Sequence, residues 1–314
     1  MPGFPRQCVR ALSILVACAA LFLTARPGQA ADAVPLPTSP DWVSEELTNG
    51  ACLVWGDLDG DGDLDMIPGA VGTPGATDPN LLIYLNEGSD PKGRLRFTVQ
   101  RLAVGAVNSC ALGDANRDGR LDLAVGMTNG PNRVFLNRGL RPDGRVMLVD
   151  SGWRDPHPPN GVQTTFSVAW GDMDGDGRLD LAIGSGKMDD DTSHSLQPDY
   201  VYRNETEPGG PLRLTQVWTN ATPLTRATLN IAWSDLDGDG KVDTLTSAGW
   251  DVMLTRIVNG RPAAQPAATL TINPADRSWP ASKAVIDWGD MDGDGRPDLA
   301  VGVPVEGARA APLR

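Results

Sequence analysis

After residue 41 the chain alternates short apolar runs with glycine, proline and acidic stretches, and it nowhere sustains a long helical period. Leu53-Val54-Trp55, Val168-Ala169-Trp170, Ile231-Ala232-Trp233 and Val285-Ile286-Asp287-Trp288 each run into an acidic stretch. Beyond such stretches stand Leu123-Ala124-Val125-Gly126, Leu181-Ala182-Ile183-Gly184 and Leu299-Ala300-Val301-Gly302. Short, bounded runs of this kind predict strands rather than helices. A third strand ending in Asn is predicted over 81–86, 133–137 and 200–204, and a fourth, after a Gly/Pro turn, over 95–102, 146–149 and 212–218. Trp stands two residues before the acidic stretch in four units, with Leu112 in its place in the second. On such inner strands Trp55, Trp170, Trp233 and Trp288 are expected in the core between neighbouring units. Trp153, Trp218, Trp250 and Trp279 lie outside that register and are better placed for ligand contact.

The acidic stretches are five copies of one loop: DLDGDGDLD, DANRDGRLD, DMDGDGRLD, DLDGDGKVD and DMDGDGRPD, whose starts are 57, 58, 63 and 55 residues apart. Position 1 is Asp57, Asp114, Asp172, Asp235 or Asp290; position 3 is Asp59, Asn116, Asp174, Asp237 or Asp292. Position 5 is Asp61, Asp118, Asp176, Asp239 or Asp294, and position 9 is Asp65, Asp122, Asp180, Asp243 or Asp298. Position 6 is always Gly, which permits the sharp turn that brings the oxygens together. The carbonyl of position 7 (Asp63, Arg120, Arg178, Lys241, Arg296) is expected as a further ligand. A dense set of oxygens on a short arc suits a hard cation, above all Ca²⁺, one per unit and up to five in all. Asn116 takes one charge from the second site, which is expected to bind more weakly. Position 12 is Pro68, Val125, Ile183, Thr246 or Val301, so the acidic twelfth ligand of an EF-hand is missing, and strands rather than helices flank the loop.

Strand, DxDxDGxxD loop and strand at this spacing, from residue 42 to the end, resemble the FG-GAP/VCBS repeat of integrin-α-like β-propellers. The fold class expected is therefore all-β, a β-propeller of four-stranded blades with a calcium loop in each of five repeats. The resemblance implies a secreted or surface-exposed, non-catalytic binding or adhesion module for an extracellular protein or carbohydrate ligand. Two alternatives stand beside it: a calcium-bearing carbohydrate-active enzyme resembling the propeller-shaped polysaccharide lyases, or an accessory domain of a larger secreted protein. His157 and His194 fall in different units, and neither GxSxG nor HExxH is present, so no enzymatic turnover is expected. The joins between second and third strands, near 70–80, 127–132 and 185–199, are expected to share one rim and to carry the binding surface.

The first 30 residues read as a signal peptide, with Arg6 and Arg10, an uncharged apolar run over 11–25, and small residues before Ala31. The run is too short to span a bilayer, which takes about 20 residues, so no transmembrane span is expected in the mature chain. Secretion to an extracellular or periplasmic location follows, with lipoprotein anchoring at Cys18 as the alternative. Residues 31–41 read as a flexible leader and 42–314 as the propeller. Cys52 and Cys110 are expected as buried thiols, because their registers relative to the loops differ by one residue and point them to opposite faces of the pleat, with a disulfide between them as the alternative in an oxidising compartment. The net charge is −13, and 20 of the 40 acids sit in the loops. No basic stripe is present to take phosphates, which argues against nucleic acid. The last unit lacks strands. Either 42–47 supplies its fourth strand and closes a five-bladed ring, or the chain is part of a larger propeller.

Overall fold

The apolar runs on either side of each acidic loop pair with one another, as the computed structural model shows for residues 42–44, 50–70, 81–128, 130–156, 164–186, 198–220, 228–248, 251–271 and 285–302. The first sheet holds β1 (Gly50–Gly56), β2 (Asp65–Ala70), β3 (Leu81–Ser89) and β4 (Leu95–Leu102). The second holds β5 (Val107–Gly113), β6 (Asp122–Met127), β7 (Arg133–Leu140) and β8 (Val146–Arg154). The third holds β9 (Thr164–Gly171), β10 (Asp180–Gly186), β11 (Tyr200–Asn204) and β12 (Leu214–Thr219). In the fourth are β13 (Asn230–Ser234), β14 (Thr244–Ala248), β15 (Asp251–Arg256) and β16 (Ala268–Thr271), and in the fifth β17 (Val285–Gly289) and β18 (Asp298–Gly302). Every sheet is antiparallel, with its strands in chain order. The chain is all-β. The expected signal peptide and leader, and the loops 71–80, 157–163 and 187–197, lie outside the described residues, as do both histidines.

Burial follows the order of strands. β6, β10 and β14 are buried along their whole length, as strands covered on both faces must be, whereas β4 and β8 alternate with solvent. Consecutive sheets pack face to face through their first strands, β1 on β5, β5 on β9, β9 on β13 and β13 on β17. A glycine just before each of the first three acidic loops, Gly56, Gly113 and Gly171, makes this close approach possible. A Cβ at Gly171 would stand 2.5 Å from Trp233 Cδ1, and one at Gly113 would stand 2.9 Å from Trp170 Cδ1. These two tryptophans therefore belong to the inter-sheet core, as their register predicts. Gly171→Ala is expected to cost about 1–3 kcal/mol by overpacking. The urea midpoint should fall at unchanged slope; an unchanged midpoint would show that the interface yields freely.

Three expectations need correction. Trp153 and Trp218 are not free for a ligand: Trp153 stacks edge-on against Tyr202 at 5.3 Å, and Trp218 donates its Nε1–H to the Ala263 carbonyl at 3.1 Å. Both rings lie half-buried against the core of a neighbouring sheet, because residues of the outer strands also face across the gap. Cys52 and Cys110 form a disulfide, with Cα atoms 5.9 Å apart. Their opposite faces favour the bond, since the downstream face of one sheet meets the upstream face of the next. Finally, Trp42, Val43 and Ser44 do not form a strand. Trp42 packs on Phe97 at 4.8 Å and on Tyr84 at 5.3 Å, and covers the upstream face of the first sheet. Residues 45–47 lie outside the described residues.

At the end away from the acidic loops, a buried Asp/Asn pair braces two of the sheets. In the second, Asn132 Nδ2 donates to Asp155 Oδ2 at 2.8 Å, and its Oδ1 accepts the Met127 N–H at 2.9 Å. In the third the two residue types exchange places. Asp199 accepts the Ser185 N–H at 3.2 Å and the Thr228 hydroxyl at 2.9 Å, and Asn220 Nδ2 at 3.3 Å. Burial pushes the Asp199 carboxyl up to about 7 against those hydrogen bonds. The folded chain therefore holds a proton that the unfolded chain releases above pH ~4. Stability from this group is complete below pH ~4 and is lost as pH rises through about 7. Asp199→Asn should flatten that part of the stability profile, read by denaturant unfolding across this range; a slope identical to the parent would refute the assignment.

Candidate metal centre

Each acidic loop is the tip of a hairpin, with Gly56 opposite Asp65, Gly113 opposite Asp122, Gly171 opposite Asp180 and Gly289 opposite Asp298. Backbone amides organise the carboxylates before any ion is considered. The position-1 carboxylate accepts at least two N–H groups: Asp57 takes Gly60 at 2.7 Å and Gly62 at 3.1 Å, and Asp172 takes Gly175 and Gly177, both at 2.8 Å, and Asp176 at 3.1 Å. Asp235 and Asp290 repeat this with Gly238 and Gly240, and with Gly293 and Gly295. The position-5 carboxylates accept the N–H of position 7, from Asp63, Arg120, Arg178, Lys241 and Arg296. Positions 4 and 6 are both left-handed, at φ 85° and 96° for Gly60 and Gly62. Arg117 holds φ 54° at position 4 of the second loop, the only copy without glycine there. The need for glycine at position 4 was present in four of the five motifs and was missed.

The oxygens converge in four loops. One ligand atom from each of Asp57, Asp59 and Asp61 lies within 4.8 Å of the others, and the same holds for Asp235, Asp237 and Asp239 and for Asp290, Asp292 and Asp294. In the third loop the convergent set is Asp172, Asp174 and Asp180. There Arg178 reaches back to the Asp176 carboxylate, and Arg203 Nε pairs with Asp174 Oδ2 at 2.9 Å. In the second loop Asn116 Nδ2 and Arg120 Nη2 both donate to Asp118 Oδ2, at 3.1 and 2.5 Å.

In the first three loops position 9 sits deeper than the other carboxylates. Asp65, Asp122 and Asp180 are almost fully buried, and each uses both oxygens on backbone amides. One oxygen takes the N–H of loop position 2, from Leu58, Ala115 or Met173; the other takes the N–H of an Asn on the third strand, Asn86, Asn137 or Asn204. Only Asn204 ends its strand, since β3 and β7 run three residues further than the apolar pattern predicts. Burial raises the carboxyls to about 6 for Asp65 and Asp122 and about 7 for Asp180, against those hydrogen bonds, and the carboxylates at positions 1, 3 and 5 push the same way. Burial also raises Asp59 and Asp174, and the neighbouring carboxylates add to it. Like charges held this close favour protonation or a cation. An all-oxygen donor set of carboxylates on a tight turn fits a hard divalent ion, with Ca²⁺ the best match.

An FG-GAP-like repeat model matches residues 114–183, from the first Asp of the second loop through the third loop into β10, and an FG-GAP repeat model matches residues 284–311 around the fifth. This is an FG-GAP repeat protein. The FG-GAP chain is also similar to cartilage acidic protein 1 of Xenopus tropicalis, at 27% identity over 145 residues, covering 44% of this chain and 20% of that protein. The Mus musculus and Homo sapiens proteins of that name are each 28% identical over the same length and the same shares. The match thus spans about a fifth of the length of these relatives. Among solved structures, Sqt1 from Chaetomium thermophilum aligns at a TM-score of 0.38 and 16% identity, over 66% of this chain and 46% of that one, a likeness too slight to bear on architecture or function. Among the described residues no helix is long and apolar enough to cross a membrane.

Proposed function

We propose that this FG-GAP chain is a calcium-stabilised β-propeller module that works outside the cytoplasm and binds a protein or carbohydrate ligand without transforming it. The observation that carries the reading is the convergence of carboxylate oxygens at four hairpin tips, three within 4.8 Å in each. The loop residues at positions 1, 3, 5 and 9 would hold the ion, together with the position-7 carbonyl. Bound Ca²⁺ would offset the mutual repulsion of the carboxylates and rigidify the tips. Its role is structural, because carboxylates bound to Ca²⁺ would be held ionised and make poor proton donors. A Cys52–Cys110 disulfide persists in an oxidising compartment, which agrees with the signal-like N-terminus. Sites of this kind in extracellular modules bind at about 10⁻⁴–10⁻³ M.

Isothermal titration of the metal-free protein with Ca²⁺ is expected to show several sites in that range, and Asp239→Asn should remove one of them. Absence of heat, with no calcium in the purified protein, would overturn the reading. A glycan and protein-partner screen with calcium and with chelator should yield a ligand retained only with calcium. Turnover of a polysaccharide by the purified protein would instead favour an enzyme.

A further inference from the structure

A buried hydrogen-bond chain runs across three sheets and touches every position-9 carboxylate in them. It starts at Asp65, whose Oδ2 accepts the Leu58 N–H at 2.8 Å. The carbonyl of that same residue accepts Asn137 Nδ2 at 2.8 Å, from the next sheet. Asn137 in turn donates its own N–H to Asp122 Oδ1 at 2.8 Å. Asp122 Oδ2 accepts the Ala115 N–H at 3.0 Å, and the Ala115 carbonyl accepts Asn204 Nδ2 at 2.7 Å, from the third sheet. Asn204 donates its N–H to Asp180 Oδ1 at 2.7 Å, and Asp180 Oδ2 accepts the Met173 N–H at 2.9 Å. Asp65, Asp122, Asn137 and Asn204 are fully buried, and Leu58, Ala115, Asp180 and Met173 nearly so. A buried polar chain with every member partnered is rigid, since a displaced group would lose its hydrogen bond with no water to replace it.

The chain stops at the fourth sheet. The strand-three residue in this register, two beyond the partner of loop position 10, is Asn86, Asn137 and Asn204 in the first three sheets and Val258 in the fourth. Val258 has no side-chain donor, and its N–H goes to the Arg261 carbonyl at 2.8 Å instead of to Asp243. In the fourth loop Asp243 Oδ2 accepts the N–H groups of Leu236 at 2.7 Å and Asp237 at 3.2 Å, and the link to the third loop is a long backbone contact, Val242 N–H to the Asp172 carbonyl at 3.5 Å, which touches neither position-9 carboxylate.

We infer that Asn137 and Asn204 are positioning residues that couple the first three metal loops, so that these load Ca²⁺ cooperatively while the fourth loads independently of them. The inference rests on the calcium reading above. An ion drawing on a position-9 carboxylate fixes the Asn whose N–H that carboxylate holds. The Asn side chain then fixes the position-2 peptide of the preceding loop, whose N–H lies on that loop's own position-9 carboxylate. Ordering one loop therefore meets part of the ordering cost of its neighbour, and the second ion binds more tightly. A purely structural role for the two asparagines would not link one loop's occupancy to another's affinity.

The test removes an ion without touching the relay. Asp114→Asn, at position 1 of the second loop, should weaken Ca²⁺ binding at the first and third loops by about five-fold or more, the lower end of ordinary coupling. Asp235→Asn, at position 1 of the fourth loop, should leave them unchanged. Binding is read by calorimetric titration of the full chain with Ca²⁺ alone, and by native mass spectrometry at sub-saturating Ca²⁺. In the parent protein, species with one or two ions should be depleted relative to independent filling. Asn204→Ser should restore independent filling between the second and third loops. Hydrogen exchange on the parent protein gives a readout that survives if this variant folds poorly: chelation should release the amides of Leu58, Ala115 and Asn137 together. Statistical filling in the parent, or an Asp114→Asn effect confined to the second loop, would overturn the coupling while leaving calcium binding intact. No bound calcium in any form would overturn the calcium reading, and the coupling with it.

Discussion

Stripping calcium with a chelator is expected to lower the melting temperature of the purified protein by about 10 °C or more. A ligand that binds only the folded state, at about 100 times its dissociation constant, adds about 2.7 kcal/mol per site. Two such sites add about 5 kcal/mol, and domains of this size shift by about 2–4 °C per kcal/mol. The direction follows from the site itself. Asp57, Asp59 and Asp61 bring ligand oxygens within 4.8 Å of one another on an exposed hairpin tip, with the buried Asp65 at the loop's end feeling the same charges. Without a cation that repulsion acts on the turn, and with one it becomes attraction. Calorimetric scans with calcium and with chelator check this, and superimposable curves would mean that the loops hold no ion that matters to the fold.

Replacing both cysteines, Cys52→Ser with Cys110→Ser, is expected to cost about 4 kcal/mol. The bond closes a loop with a sequence separation of 58 residues, for which the chain-entropy account gives about that value. It ties the first strand of one sheet to the first strand of the next, at the same interface where Val54, Ile67, Leu123 and Val125 share a core. The loss should appear in chemical unfolding as a lower midpoint. Addition of a reductant to the parent protein should reproduce it, and a variant as stable as the parent would show that packing alone holds this interface.

Much of the local structure was legible in the residues. The acidic loop as a hairpin tip, the four strands of each of the first three units and the recurring Asn of the third strand all follow from short apolar runs and fixed spacings, although that Asn ends its strand only at Asn204. The ends of strands were less so. The fourth strand expected over 146–149 extends to Arg154, and the loose loop expected over 261–269 contains the start of β16 at Ala268. Hydrogen bonding to a neighbouring strand prolongs a strand past the point where its own pattern fades.

What lay hidden concerns contacts between sheets. The asparagines stood out as a repeated strand end, yet their side-chain partners are 79 and 89 residues away in sequence. Nothing within one unit indicates that its strand end will hold the loop of the unit before. The same holds for Trp153 and Trp218, whose register looked exposed until a neighbouring sheet covered them.

The sequence by itself determined the unit: which runs form strands, where the chain turns, and which oxygens gather at each tip. Those features depend on side-chain period and on residues within a few positions of one another, so the local pattern carries them. Only the tertiary structure decided what happens between units. The Cys52–Cys110 bond, the seating of Trp233 against Gly171 and the reach of Asn137 to the Leu58 carbonyl all depend on which face of one sheet meets which face of the next. That choice is made by packing over the whole surface of a sheet, and no single run of residues contains it.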